Sequence, residues 1–306
     1  MSVPVAPLSL LRDDDWTIGL VDRPIESFLQ PADPAHDAGD VTWLPRRRDT
    51  YAADPFGLDR DGMVDVFFEE YDQRHGRGSI AHVRVGRDGT AFAPETVIDT
   101  GSHASYPFLL EAGGEAWLIP ETADLREVRL YRAIELPLRW ELAARLLTGI
   151  PVSDPTVIFH EDRWWLFGTS RGRGVNSALR VWHAPALSGP WTRHAQDPVK
   201  IDPASARPAG TPFEHRGSLY RPAQDCSRRY GGRVVVNRID ILTPDRFAET
   251  HVAAVEPFAA LGYPAGLHTL SGVGRRTLVD GNALHFNPAA FVGRLGRLGR
   301  HARGGP

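Results

Sequence analysis

Two aspartates, Asp54 and Asp154, each stand directly before a proline, Pro55 and Pro155. Proline has no N–H and suits the first residue of a strand, so each carboxylate is expected at the mouth of a strand. A residue before proline is also expected to be extended. Tyr106 precedes Pro107 in the same way, and His268 opens a comparable run. The adjoining apolar runs end on Glu69, Glu121 and Arg221. Two carboxylates in one pocket are the minimum equipment for glycoside chemistry: one protonates the leaving oxygen, the other activates water or attacks carbon. Asp-Pro also has a plainer use, in which the carboxylate caps a backbone amide at the start of a strand. On the residues alone both readings stand.

A second dense patch runs from Ala206-Arg207-Pro208-Ala209-Gly210 to Leu219-Tyr220-Arg221-Pro222-Ala223-Gln224-Asp225-Cys226. Arginine forks recognise carboxylate or phosphate through paired hydrogen bonds, which points Arg207 and Arg221 at an anionic part of a substrate. Gln224 and Asp225 can hold sugar hydroxyls; the alternative is an Arg–Asp ion pair that staples this part of the fold. Cys226 reads as a small core residue. His103 and His268 read as hydrogen-bonding residues rather than metal ligands, because no HxxxH or CxxC spacing accompanies them. No Gly-rich phosphate loop is present. No metal and no cofactor are expected.

The elements that must position these residues repeat. Asp154–Phe159, the turn His160-Glu161-Asp162-Arg163 and Trp164–Thr169 form a hairpin pattern, β-branched and aromatic on both sides of a polar turn. Similar units begin near Asp54, Tyr106, Pro212 and His268. A hairpin unit recurring roughly every fifty residues is the signature of a β-propeller, and five copies predict an all-β, five-bladed β-propeller, four strands to a blade around a central channel. Asp54, Tyr106, Asp154 and His268 then stand at equivalent places around one axis. Blades are expected over roughly 51–100, 101–149, 150–203, 204–255 and 256–290. Trp16–Val21 reads as a strand that joins the last blade and closes the ring, and Val41–Pro45 as an edge strand. Glu141–Leu147 reads as a short helix, Asp33–Asp40 as a surface loop and Arg46-Arg47-Arg48 as a basic turn. Residues 1–15 are expected to form an arm, 16–290 one domain and 291–306 a frayed tail.

The 306 residues allow a large single core. A net charge of −3 gives no basic field for nucleic acid or an acidic membrane. The lone Cys226 excludes an internal disulfide and fits a reducing compartment. With no signal-peptide pattern and no long apolar run, a cytoplasmic protein is expected. The Arg- and Ala-rich composition with 2 Met fits a GC-rich bacterial genome.

Taken together, Ala53-Asp54-Pro55-Phe56, Ser105-Tyr106-Pro107-Phe108, Ile119-Pro120-Glu121, Asp154-Pro155-Thr156, Trp165-Leu166-Phe167, Gly189-Pro190-Trp191, Arg207-Pro208-Ala209-Gly210 and Leu219–Cys226 resemble the propeller domain at the N-terminus of glucosamine inositolphosphorylceramide transferases and their bacterial relatives. That domain is itself similar to the propellers of glycoside hydrolase families 43 and 32. In the transferases sugar transfer is assigned to a separate domain. The hydrolase likeness implies Asp54 as general base or nucleophile and Asp154 as the carboxylate that orients substrate and tunes the acid. The hydrolases' acid, a blade-four glutamate, has no clear counterpart; Asp225 is the nearest candidate and Glu121 the other.

The leading expectation is a carbohydrate-active enzyme that cleaves or transfers a glycosyl unit. Asp54, Asp154, Asp225 and Glu121 would be catalytic; Tyr106, Arg207, Arg221, Gln224, His268, His103 and Glu69 would bind substrate. Two alternatives keep the pocket: acid/base proton transfer in a biosynthetic isomerisation, elimination or cyclisation, and a sugar-binding module without catalysis.

Overall fold

Apolar runs bounded by turn residues form short antiparallel strands, and the strands gather into five sheets. The structure, a computed structural model, describes residues 13–30, 41–45, 47, 49–86, 89–172 and 174–285. The expected loop at 33–40, Arg46, Arg48, most of the arm and the tail lie outside the described residues.

The chain opens with β1 (Asp13–Val21) and β2 (Val41–Trp43). Blade one is β3 (Thr50–Arg60), β4 (Met63–Asp72), β5 (Arg77–Val85) and β6 (Glu95–Ile98). Blade two is β7 (Ser105–Ala112), β8 (Glu115–Thr122), β9 (Glu127–Glu135) and β10 (Arg139–Thr148). Blade three is β11 (Val152–His160), β12 (Arg163–Ser170), β13 (Ala178–Ala184) and β14 (Thr192–Arg193), with β15 (Lys200–Ile201) also paired to β13. Blade four is β16 (Phe213–His215), β17 (Ser218–Asp225), β18 (Arg233–Leu242) and β19 (Phe247–Val255). Blade five is β20 (Leu270–Val273) and β21 (Arg276–His285), completed by β1 and β2 in the order β2-β1-β21-β20. The strand from the start of the chain therefore closes the ring, as expected, and begins three residues earlier than its sequence pattern suggests.

The first strands line the axis. β3 packs on β7 and β20, and β7 on β11. Inner strands are apolar on both faces because a blade lies on each side: Phe56, Phe67, Phe108, Leu118 and Trp182 share one core across blades one to three. Trp165 is buried against Phe167 and Leu219 between blades three and four, while its neighbour Trp164 is half-buried. Outer strands are the most exposed, and β10 shows why one expectation fails. The stretch 141–147 is strand, not helix, paired to β9 with two bulges. Register shifts at Leu142/Ala144 and Arg145/Leu147 break the two-residue alternation and imitate a helical spacing of Leu and Ala. Pairing with β9 outweighs the helix propensity of Glu-Leu-Ala-Ala-Arg. Among the described residues no helix is long and apolar enough to cross a membrane.

Arg221 ties blade four to the segment that leads into it. It is fully buried, gripping Glu249 through Nε–Oε2 at 3.0 Å and Nη2–Oε1 at 2.6 Å. The same guanidinium donates to the carbonyls of Ser205 at 2.7 Å and Ala206 at 3.3 Å. Burial opposes the Glu249 charge, but Arg221 and Lys200 outweigh it and hold the carboxyl below its ordinary range. Arg221 is thus a staple for the segment that carries Arg207, and the anion-binding role expected of it is taken by an internal partner. Replacing it by alanine leaves Glu249 buried beside Lys200 alone. Arg221→Ala should lower the unfolding free energy by about 3–5 kcal/mol, read in urea titrations.

Candidate functional site

Each of the first three blades begins with the same irregularity. Ala53 faces Glu69 and Phe56 faces Phe67, so Asp54 and Pro55 together stand opposite one residue. Ser105/Glu121 and Phe108/Ile119 enclose Tyr106-Pro107, and Ser153/Thr169 and Thr156/Phe167 enclose Asp154-Pro155. These are β-bulges, and their first residues have φ of 54°, 44° and 52°. The extended backbone expected before proline is not adopted. A bulge takes one residue out of the strand region, and the following proline disfavours right-handed helix there. The left-handed region is what remains, at a cost of about 1–3 kcal/mol for each non-glycine residue.

Carboxylates from neighbouring blades hold these bulges. Asp280 accepts the Asp54 N–H at 3.1 Å, and Glu121 accepts the Asp154 N–H at 3.0 Å and the Ser153 hydroxyl at 3.3 Å. Asp54 accepts the Tyr106 N–H at 3.2 Å and the Thr269 hydroxyl at 3.2 Å. In blade four the dipeptide Arg207-Pro208 takes the equivalent place, fixed by Gln224 N–H donating to the Arg207 carbonyl at 2.8 Å and by a bridge from Pro208 to Ala223.

Above this ring lies a polar cavity of about 420 Å³. Asp54, Glu69, Glu121, His103 and Arg207, all expected as site residues, line it, together with Tyr51, Arg171 and Tyr230. Asp154 sits just beneath, in a fork with Arg207 (Nη2–Oδ1 3.2 Å) and accepting from Gln224 Nε2 at 3.0 Å. Arg207 also donates to Asn176 at 3.0 Å and lies under the Tyr230 ring at 4.9 Å. Burial raises Asp54 to about 6, with Asp154 and Asp280 adding to the rise and His268 and Arg207 opposing it. Burial likewise raises Asp154 to about 6 against the pull of Arg207. His268 is stacked on Trp16 at 3.8 Å and bonded through Nδ1 to Asp280 at 2.6 Å. Its burial disfavours the imidazolium, but Asp280 and Asp54 outweigh this and raise it to about 9. Donor atoms of Asp54, His268 and Asp280 lie within 4.8 Å of one another. They are turned on each other and on backbone amides, the arrangement of an imidazolium–carboxylate cluster.

The remaining expected residues serve the fold. Tyr106 is fully buried beneath the cavity; its hydroxyl accepts from the Gly210 N–H at 2.8 Å and meets Thr156 at 2.9 Å. Asp225 does not line the cavity. It accepts from the Ser227 N–H at 3.0 Å and from Arg233 Nε at 2.9 Å. Burial opposes its charge, but Ser227 and Arg233 hold the carboxyl below the ordinary range, which removes it as a proton donor. Sequence reasoning missed Tyr51, Arg171 and Tyr230. Arg171 lies one residue past β12, at the same rim as Glu69 and Glu121, so the strand-end rule that singled out those two could have found it.

Residues 42–259 match the family described as "Glucosamine inositolphosphorylceramide transferase 1, N-terminal". Over 229 residues the chain is 31% identical to glucosamine inositolphosphorylceramide transferase 1 of Arabidopsis thaliana, covering 73% of this chain and 29% of that protein. It is 34% identical over 208 residues to the counterpart from Oryza sativa subsp. japonica, covering 66% and 28%. The chain thus spans less than a third of the length of these relatives. Among solved structures, Zg3597, a family 117 glycoside hydrolase produced by the marine bacterium Zobellia galactanivorans, superposes with a TM-score of 0.54 at 13% identity over 91% of this chain and 92% of that one. RS223-β-xylosidase superposes with a TM-score of 0.55 at 14% identity over 80% and 87%. At these identities the likeness shows a shared propeller fold. The family match and the plant relatives go further: this chain belongs to the family of the N-terminal domain of glucosamine inositolphosphorylceramide transferase 1.

Proposed function

We propose that this chain is a carbohydrate-active enzyme whose cavity binds a glycosyl unit and cleaves or transfers it. The observation that carries this reading is one polar cavity with buried carboxylates from several blades converging on it, Asp54 foremost. The plant relatives, named as glucosamine inositolphosphorylceramide transferases, and the hydrolase propellers are in keeping with it. Asp54 is the base or nucleophile: Tyr106 N–H and the Thr269 hydroxyl fix its two oxygens, and His268 stands 3.7 Å away. Those donors favour the ionised form that either role needs. Asp154, gripped by Arg207 and Gln224, orients the site. Tyr230, 40% exposed at the mouth, offers a ring face to a sugar. Arg221 is buried against Glu249 and Arg207 against Asp154, so an anionic substituent would meet Arg171, which is paired with Glu121 and Asp124 at the rim but keeps its side chain 41% exposed.

Asp54→Asn should lower turnover of a glycosyl substrate about 10²–10⁴-fold while the fold stays intact, read on a panel of aryl glycosides. Unchanged turnover in a folded variant would exclude catalysis by Asp54. The proton-transfer alternative predicts products of unchanged mass, or mass less water, where glycosyl chemistry releases or moves a sugar.

The same variant should be more stable than the parent at alkaline pH. A carboxyl whose folded pKa is raised contributes stability below its unfolded value near 3.9, and this contribution is lost as pH rises through about 6. Asparagine carries no charge to bury. Asp54→Asn should therefore gain on the order of 2 kcal/mol at pH 8 relative to the parent, and the gain should fade as pH is lowered toward 4. Chemical denaturation at the two pH values measures it.

A further inference from the structure

The second strands of three blades carry a carboxylate in related places. Glu69 on β4 faces Ala53 and Glu121 on β8 faces Ser105. Asp280 on β21 accepts the Thr269 N–H at 3.1 Å. Asp280 and Glu121 each cap the bulge residue of the next blade in the ring. By that rule Glu69 should cap Tyr106. It does not, because the Tyr106 N–H donates to Asp54 at 3.2 Å. Glu69 is left without its structural task.

Its surroundings are unlike those of the other carboxylates. The side chain is 8% exposed and lines the cavity, and Oε1 is buried with no hydrogen-bond partner. The seat is made by Gly78, where a Cβ would stand 2.4 Å from Oε1 and 2.9 Å from Cγ. His103 Nε2 lies 3.8 Å from Oε1. His103 Nδ1 accepts the Gly78 N–H at 3.0 Å, which places the ring proton on Nε2. Burial, followed by Arg171, holds His103 below its ordinary range, so it faces Glu69 as a neutral ring. The other titratable groups that bear on Glu69 are Tyr51 and Asp54 from β3, Tyr71 from β4, Glu121 from β8, Tyr230 at the mouth, and Asp154 and Asp280. Arg171, the cation at the rim, is engaged by Glu121 and Asp124. An ionised Glu69 would be a buried charge with an unsolvated oxygen among like charges, whereas a neutral acid there costs little. Burial, and then the carboxylates of Asp54 and Glu121, push its proton affinity well above that of an ordinary glutamate.

We propose that Glu69 is the proton donor of this site, acting with Asp54 as base or nucleophile. The assignment rests on the glycosyl reading above. As the glycosidic C–O bond breaks, its electron pair stays on the leaving oxygen, which takes the Glu69 proton. In a single displacement Asp54 receives the proton of the water or hydroxyl that forms the new C–O bond; in a double displacement Asp54 bonds to carbon first, and the water or hydroxyl then displaces it, the carbon–oxygen bond to Asp54 breaking with its electron pair returning to the Asp54 carboxylate while ionised Glu69 takes the incoming proton. Either course sets a neutral acid beside an ionised carboxylate, each fixed by its own surroundings.

Two measurements on the full chain test this. Infrared spectra of the parent and Glu69→Gln at pH 7 should differ by a protonated-carboxyl stretch present only in the parent, with equal thermal stability, since glutamine matches the neutral acid in shape and charge. A variant that loses carboxylate intensity instead shows Glu69 ionised and overturns the proposal whether or not any glycoside is turned over; should Glu69→Gln fail to fold, the spectrum of the parent decides, and the absence of a protonated-carboxyl stretch at pH 7 overturns the proposal. With aryl glycosides, Glu69→Gln should lose about 10²–10⁴-fold on phenyl leaving groups but far less on dinitrophenyl groups, which depart without a proton. Equal losses on both would overturn the donor role. If the parent turns over neither substrate, the glycosyl reading fails separately, and the infrared result alone decides whether Glu69 holds a proton to give.

Discussion

The ring depends on one repeated contact: a carboxylate from one blade accepting the N–H of a left-handed, pre-proline residue in the next. Asp280 to Asp54 and Glu121 to Asp154 are the two plain cases. The bulge alone is strained, and the buried carboxylate alone is a charge out of water. Together each offsets the cost of the other, because the bulge presents an N–H that a regular strand would have spent on its ladder. The contact also spans two blades, so it fixes their relative rotation and with it the side chains aimed at the axis.

Closure of the ring is what completes this circuit. Asp280 lies on β21, whose outer neighbour is β1. Trp16 of β1 stacks on His268, which in turn is bonded to Asp280. The strand that seals the fold therefore sets the imidazolium beside Asp54. Stability and chemistry meet at the same few atoms: a carboxylate made less acidic by burial opposes folding where it is ionised and is a better base for the same reason.

Much of this was legible in the chain. The hairpin spacing gave five blades, and the pre-proline aspartates marked the axis, because proline and turn residues report local geometry directly. What the residues could not report was which partner each side chain would choose. Arg221 and Arg207 are alike in sequence, both beside a proline, yet one is buried against Glu249 and the other reaches the cavity. Asp225 sits beside Gln224, and only the alternation of β17 decides that Gln224 meets Asp154 while Asp225 meets Arg233. The left-handed backbone at Asp54 and Asp154 escaped for a related reason. The proline rule describes a regular strand, and a bulge is a property of the pair of strands rather than of either one.

The departure in blade four has consequences around the whole ring. Where blades one and three carry an aspartate before proline, blade four carries Arg207, a cation that neutralises Asp154 and cannot give up a proton at any ordinary pH. With Asp154 bound in that fork and Glu121 bound to Asp154's backbone, blades two to four spend their charges on one another. Blade one does not. Tyr106 in blade two brings no carboxylate, and its N–H is capped by Asp54 rather than by Glu69. With that N–H already taken by Asp54, the neighbouring Glu69 is left buried, its Oε1 without a hydrogen bond, and facing the cavity. Chemistry is concentrated on blade one because the symmetry of the caps is broken there.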